Sequence, residues 1–273
     1  MSGFREISTR LESWNGSIGG FVRDLDRRGK QYLSFSKLNS LEFCPYRYFL
    51  EYVKGWKLRP EPDYFIKGRA FHEVVARMYR KLSKKNEIDE DELQRFLERK
   101  WSGDSIHLGN AVKLAVENAH KGWEVVGVEQ QFVLSLGSKL PPCIGVIDLL
   151  LRRGRSFLVV DHKSGKNFNE PDETQLLIYR EYVRRRYKPK ECLTIYDEYR
   201  WVSNLLRVRK PAFRRTEVSH KKNAWAKALK RLTDSHRDMQ GIRKVKNAPA
   251  TGPCYMCPFK ERCPNASTGN FGW

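Results

Sequence analysis

The chain has 273 residues, of which 40% are hydrophobic and 31% charged. That balance suits a folded protein with one well-buried core plus an accessory region, or two small domains, and excludes a disordered chain. Lysine and arginine outnumber aspartate and glutamate by 52 to 32, for a net charge of +20, and self-repulsion of that size asks for an anionic partner.

Nucleic acid rewards Lys and Arg most directly, through its phosphates. A solubility surface or a high-salt adaptation is the plainer alternative. Residues 1–30 are polar and carry no secretory signal. No stretch reaches the roughly 18 apolar residues of a membrane span. The expectation is a cytoplasmic protein with no membrane partner. Its six cysteines then read as thiols or metal ligands rather than disulfides.

In chain order, residues 1–31 are charged and weakly periodic, and read as a basic arm or as a helix that packs late. Residues 32–123 read as helical. Ser34-Phe35-Ser36 opens a helix with Ser36 as its N-cap, and Pro45 restarts it at a first-turn position. Tyr46, Phe49, Leu50 and Val53 follow at helical spacing. Phe71, Val74, Val75, Met78 and Leu82 predict a second helix over 67–83. Residues 84–123 are hydrophilic and helical, like an inserted cap.

The period changes in the segment 124–247, read as the core. Strands are predicted over 125–136, 144–151 and 157–160, then a helix over 171–187. A strand over 193–202, a last strand over 207–218 and a basic helix over 220–241 complete the pattern. This order predicts an α/β fold with an N-terminal helical region around a central sheet. The tail, 248–273, is rich in Cys, Pro and Gly and needs a staple.

Gly145-Val146-Ile147-Asp148 places one acid in an apolar strand, and Asp161-His162-Lys163 ends the next. Residues two apart share a strand face, so Asp161 and Lys163 point the same way. A turn near Gly154 would set Asp148 beside Asp161. Two carboxylates are what a hard cation such as magnesium needs from the protein, and a lysine offsets phosphate charge. Asp-x-Lys alone is common, but a carboxylate among six apolar neighbours is costly without a partner. Glu129 could face the same site, but a solvated strand charge is the preferred reading.

These residues resemble the signature of PD-(D/E)XK nucleases. Gly68-Arg69-Ala70-Phe71-His72 resembles the upstream helix of the RecB-like branch, and Gln175-Leu176-Leu177-Ile178-Tyr179 its Gln-x-x-x-Tyr motif. The resemblance implies a restriction-endonuclease-like core: a central mixed sheet flanked by helices. It implies catalytic roles for Asp148, Asp161, Lys163, Gln175 and Tyr179. It also implies a magnesium or manganese ion held by His72, Asp148, Asp161 and the His162 backbone carbonyl. The second acid is Asp161 where many relatives have Glu, a shorter arm that bears on metal preference.

Cys254, Cys257 and Cys263 stand at x2 and x5 spacing, with Cys44 about two hundred residues earlier. Structural zinc usually takes two close pairs, whereas four thiolates also suit an iron–sulfur cluster. The one-plus-three pattern, with Cys44-Pro45 and Cys263-Pro264, resembles the iron–sulfur branch of RecB-like nucleases, which includes CRISPR-associated exonucleases. The resemblance spans residues 33–264 and implies a [4Fe-4S] cluster on Cys44, Cys254, Cys257 and Cys263, closing the tail. Cys143 and Cys192 read as core residues.

Aromatics interleave with cations at Tyr46-Arg47-Tyr48, Arg184 to Tyr187, Tyr199-Arg200-Trp201 and Phe213-Arg214-Arg215, a pattern of single-strand binders and equally of core edges. Lys221, Lys222, Lys227, Lys230 and Arg231 mark a basic helix face. The leading expectation is a metal-dependent DNA exonuclease acting on single-stranded ends, with CRISPR integration proteins as candidate partners and oligomeric state open. A viral or repair recombination exonuclease is the alternative within the class. Outside it stands a non-catalytic DNA-binding accessory with a structural zinc site.

Overall fold

The strand-forming runs between residues 124 and 217 pair into one five-stranded mixed sheet. Its strands are β1 (Glu124–Leu134), β2 (Cys143–Arg153), β3 (Ser156–Gly165), β4 (Glu191–Arg200) and β5 (Ala212–Glu217), side by side in chain order. β2 and β3 form an antiparallel hairpin around Gly154, whose φ of 61° a residue without Cβ adopts freely. β3 and β4 pair in parallel from Ser156↔Glu191 to Gly165↔Arg200. The helix Glu173–Tyr187 provides the crossover that parallel strands require. β5 returns antiparallel on β4. The sheet is the mixed α/β arrangement that the sequence predicts.

The computed structural model describes residues 17–58, 61–84, 87–101, 105–201, 211–242 and 248–264. The chain divides into two compact units. One comprises Asp63–Phe132 and Gly145–Trp225, the other Met1–Pro62, Val133–Ile144 and Ala226–Trp273. The first half of the expected arm, 1–16, and the start of the expected last strand, 207–210, lie outside the described residues.

In the first unit, Phe71, Val74 and Met78 of the helix Asp63–Ser83 share one core with Leu149, Leu151, Leu158, Val160 and Ile195 of the sheet. Leu93 and Leu97 of Glu90–Lys100, and Leu108, Ala111, Val112 and Ala115 of Ser105–Glu117, belong to the same core. The expected inserted cap is therefore wrong. Each hydrophilic helix carries a narrow apolar stripe at i, i+4 spacing, and that stripe is buried.

In the second unit, α1 (Ile18–Arg27) takes the helix alternative for part of the first segment. Ser17 caps it, accepting the Gly20 N–H, and Phe21 and Leu25 cluster with Ile144. Ser34, two residues before the expected cap, accepts the Lys37 N–H and starts α2 (Phe35–Phe43). Pro45 does restart the helix, as α3 (Pro45–Tyr48), which continues into a π-helical turn over Phe49–Val53. The remaining helices are α4 (Asp63–Ser83), α5 (Glu90–Lys100), α6 (Ser105–Glu117), α7 (Glu173–Tyr187) and α8 (Ala224–Gly241). The tail forms short 3₁₀ turns at Cys254–Met256 and Lys260–Arg262.

A buried charge ties the edge of the first unit together. Asp197 on β4 is fully buried. It contacts His120 Nε2 at 2.8 Å and Arg215 Nε at 2.7 Å. Burial pushes its carboxyl pKa up, but the hydrogen bonds from His120 and Arg215 outweigh this, and the net direction is down. Asp197→Ala should destabilise the protein by about 3 kcal/mol, because it strips the buried His120 and half-buried Arg215 of their counter-charge. Chemical denaturation checks this, and a loss under about 1 kcal/mol would contradict it.

Candidate active site

The last β2–β3 ladder pair is Leu149↔Val160. Asp148 and Asp161 are the next residues outward, so hairpin register brings the two acids to one end of the ladder. Asp148 Oδ2 accepts the His162 backbone N–H at 2.8 Å, which holds its carboxylate against β3. Asp161 is 1% exposed. Lys163 Nζ lies 2.6 Å from Asp161 Oδ2, an ion pair without the alignment of a hydrogen bond. The shared face of Asp161 and Lys163 is as the two-residue spacing predicts.

A polar chain continues from the lysine. Lys163 Nζ donates to Gln175 Oε1 at 3.3 Å, and Gln175 Nε2 donates to the Tyr179 hydroxyl at 2.8 Å. Tyr196 OH donates to the same Gln175 oxygen at 3.2 Å. Gln175 and Tyr179 stand one turn apart on α7, so a single helix face supports the lysine. Tyr196 has no counterpart in the sequence reading. Its signal is position: it pairs with Asp161 in the parallel β3–β4 register.

Burial and charge set the protonation states. Burial pushes the Asp161 carboxyl up to about 6; Lys163 opposes this and Asp148 adds to it. For Lys163, burial favours the neutral amine, but Asp161 and Asp148 outweigh it and the net direction is up. The lysine is therefore held cationic at neutral pH. Burial also lifts the Tyr179 hydroxyl well above its ordinary value, so it remains a neutral donor and acceptor.

On the other side of Asp148, His72 Nδ1 on α4 lies 3.6 Å from its Oδ2. Glu129 joins them: one ligand atom each from His72, Glu129 and Asp148 lie within 4.8 Å of one another. The sequence expectation of a solvated strand charge at Glu129 is thus overturned. Its backbone φ of 52° lies in the left-handed region, unusual for a non-glycine residue in a strand. Simple alternation could not place its side chain for that reason. Burial raises its carboxyl pKa, Asp148 raises it further, and His72 and Arg80 pull it down.

An imidazole and two carboxylates converging beside a buried carboxylate oxygen that lacks a hydrogen bond suit a hard divalent cation. Of the four expected ligands, His72 and Asp148 are in this group, while the Asp161 side chain faces Lys163. The His162 ring takes the opposite face of β3. It stacks on Tyr79 at 5.9 Å and its Nδ1 lies 3.3 Å from the Tyr199 hydroxyl. Burial lowers its pKa to about 4, so it stays neutral.

Gly145, three residues before Asp148, is dictated by packing. A Cβ there would lie 2.5 Å from Phe132 Cζ and 3.4 Å from Tyr179 Cε1. The ring of Phe132 meets Tyr179 edge-on at 5.7 Å. The glycine lets β2 pass close to the aromatic wall that holds Tyr179.

In the second unit, Cys44, Cys254, Cys257 and Cys263 line one small enclosed pocket, together with Arg47, Gly252 and Phe259. Gly252 packs so tightly on this wall that a Cβ would lie 2.6 Å from Cys44 Cβ. Among the described residues, no three of these sulfurs lie within 4.8 Å of one another. Cys143 is fully buried and Cys192 partly so, and neither lines the pocket.

These aromatics follow the core-edge reading. Tyr46, Tyr48, Tyr199 and Trp201 are buried, Tyr187 stacks on Phe157, and Phe213 packs on Tyr199. On α8, Arg231 pairs with Glu42 and Lys230 with Asp234, each at 2.6 Å, so two of that face's five cations are neutralised. No helix among the described residues is long and apolar enough to cross a membrane.

The chain has relatives at the level of family. No curated protein matches it. Among solved structures, a Eubacterium rectale protein provisionally assigned as an exonuclease aligns at 13% identity over 84% of this chain and 87% of its own, with a TM-score of 0.49. The protein SSO0001 aligns at 18% identity over 71% of this chain and 84% of its own, with a TM-score of 0.32. The family model of the PD-(D/E)XK nuclease superfamily matches residues 32–264, a stretch that holds both acids, the lysine and all four pocket cysteines. The chain belongs to the PD-(D/E)XK nuclease superfamily.

Proposed function

We propose that the protein is a metal-dependent DNA exonuclease that hydrolyses phosphodiester bonds at single-stranded ends. The observation that carries this reading is the ion pair of buried Asp161 with Lys163, standing beside the His72, Glu129 and Asp148 group. His72 and Asp148 hold a magnesium or manganese ion, with Asp161 and the His162 carbonyl completing its protein ligands and Glu129 added to the set. When bound, that ion polarises a phosphoryl oxygen and lowers the pKa of a coordinated water.

The protein's own groups do the rest. Lys163 is held cationic, so it does not remove a proton; it offsets negative charge building on the phosphate. Gln175 fixes the lysine ammonium, and Tyr179 and Tyr196 fix Gln175. The pocket cysteines Cys44, Cys254, Cys257 and Cys263 bind one [4Fe-4S] cluster, whose binding energy folds a tail poor in apolar residues. Free thiols suit a reducing cytoplasm. A place in CRISPR spacer acquisition, alongside integration proteins, is the first context for this activity, and a viral or repair recombination role is the alternative that shares the same cysteine spacing. Assays with integration proteins and spacer precursors test that choice.

Digestion of end-labelled single- and double-stranded DNA with magnesium, manganese or EDTA tests the activity. Asp148→Ala, Asp161→Ala and Lys163→Ala should each slow cleavage by roughly 10²-fold or more while the protein stays folded. His72→Ala should be partly rescued by manganese. Wild-type rates in Asp161→Ala would sink the assignment.

The pKa of Asp161 sets a pH dependence. Its carboxyl is raised to about 6, so protons compete with metal below that pH and stop competing above it. Manganese should raise the melting temperature little at pH 5 and close to fully at pH 7.5. An equal rise at both values would contradict a role for this carboxylate in holding the ion.

The cluster reading predicts brown protein after anaerobic purification, with about four irons per chain. Substituting any of the four pocket cysteines should bleach and destabilise it. Cys143→Ser and Cys192→Ser should keep the colour. Stoichiometric zinc without iron would overturn the reading.

A further inference from the structure

Beside the candidate active site, α4 and α5 enclose an open groove lined by Glu73, Arg77, Arg80, Lys81, Lys84, Lys100 and the ring of Phe96. Five cations face one acid there, a balance of +4. Counting Glu92, which pairs with both Arg77 and Lys81, it is still +3. Phe96 underlies the cluster, with Arg77 at 4.9 Å and Lys100 at 5.6 Å from its ring centre. Like charges repel, so gathering them without enough acids has an energetic cost that an anionic ligand would offset.

The cations divide by role. Glu92 fixes Arg77 and Lys81, and Glu73 fixes Lys100 at 2.7 Å. Arg80 and Lys84 are exposed and have no acid within 4 Å among the described residues. They stand one turn apart on the same face, about 6 Å along the axis of α4. The groove also points to the site. Arg80 follows His72 by eight residues on α4, about 12 Å along the axis.

We infer that this groove is the track for the phosphodiester backbone of the DNA strand, with Arg80 and Lys84 contacting successive phosphates next to the site. This rests on the nuclease reading for its choice of ligand, but it is measured by binding rather than cleavage.

The test is binding of a fluorescently labelled single-stranded oligonucleotide in EDTA, across a salt series. Arg80→Ala/Lys84→Ala should weaken binding about tenfold at low salt. It should also flatten the slope of log K against log salt by about 1.4, from roughly 0.7 per single-strand phosphate contact. Lys121→Ala/Lys190→Ala removes the same charge from exposed positions outside the groove and should change both quantities far less. Melting curves confirm that both variants fold. Unchanged affinity and slope in the groove variant, equal losses in both variants, or no binding by the wild type would each overturn the track. If the wild type binds and the groove variant does not, yet no DNA is cut with manganese, the track stands and the nuclease reading fails.

Discussion

A single backbone hydrogen bond organises the candidate site. Asp148 accepts the His162 N–H from the neighbouring strand, and this locks the acid to the residue between Asp161 and Lys163. Four functional positions thereby depend on the register of one hairpin. A slip of one residue would turn Asp161 and Lys163 to the opposite face and place the His162 ring in the site. The register is defended where slippage would begin. Leu149, Leu150, Leu151, Val159 and Val160 are all fully buried, so every residue of that ladder would exchange core for an alien face.

The site concentrates charge that the surrounding fold would otherwise reject. Asp161 is buried beside Lys163 and Asp148, and burial raises its carboxyl to about 6. A single buried ion pair gains too little to favour such an arrangement over apolar packing. Asp197, one pleat further along β4, makes the contrast. Its two oxygens are satisfied by His120 and Arg215, and its carboxyl is held below the ordinary range. One buried acid is completed by the protein, and the other is left with an oxygen that has no hydrogen bond. That difference marks Asp197 as a structural carboxylate and supports the proposal of Asp161 as a ligand.

Much of this was legible in the sequence because it is local. Asp161 and Lys163 are two apart, and Gln175 and Tyr179 are four apart, so strand and helix periods alone put each pair on one face. The tail's need for a staple followed from its poverty in apolar residues, and its cysteines do meet Cys44 in one pocket. What stayed hidden is non-local or irregular. The residues of the Asp197 network come from α6–β1, β4 and β5, and no period links His120 to Arg215. Glu129 escaped because its left-handed backbone breaks the alternation on which strand reading rests. The helices α5 and α6 looked like a cap because composition averages over all faces, whereas burial follows only the stripe of Leu93, Leu97, Leu108 and Val112.

The same averaging misplaced the basic surface. A run such as Lys227, Lys230 and Arg231 draws the eye, yet two of its members are already paired with acids. Arg80 and Lys84 are less conspicuous, being set in a helix that also carries a buried stripe of Phe71, Val74, Val75 and Met78. Their significance comes from what is absent around them and from the helix they share with His72. A cation spends its charge on the nearest acid. Net charge therefore predicts that a protein binds an anion, and only the pairing pattern tells where. Among the described residues the pairing leaves Arg80 and Lys84 without an acid on α4, the helix that also carries His72.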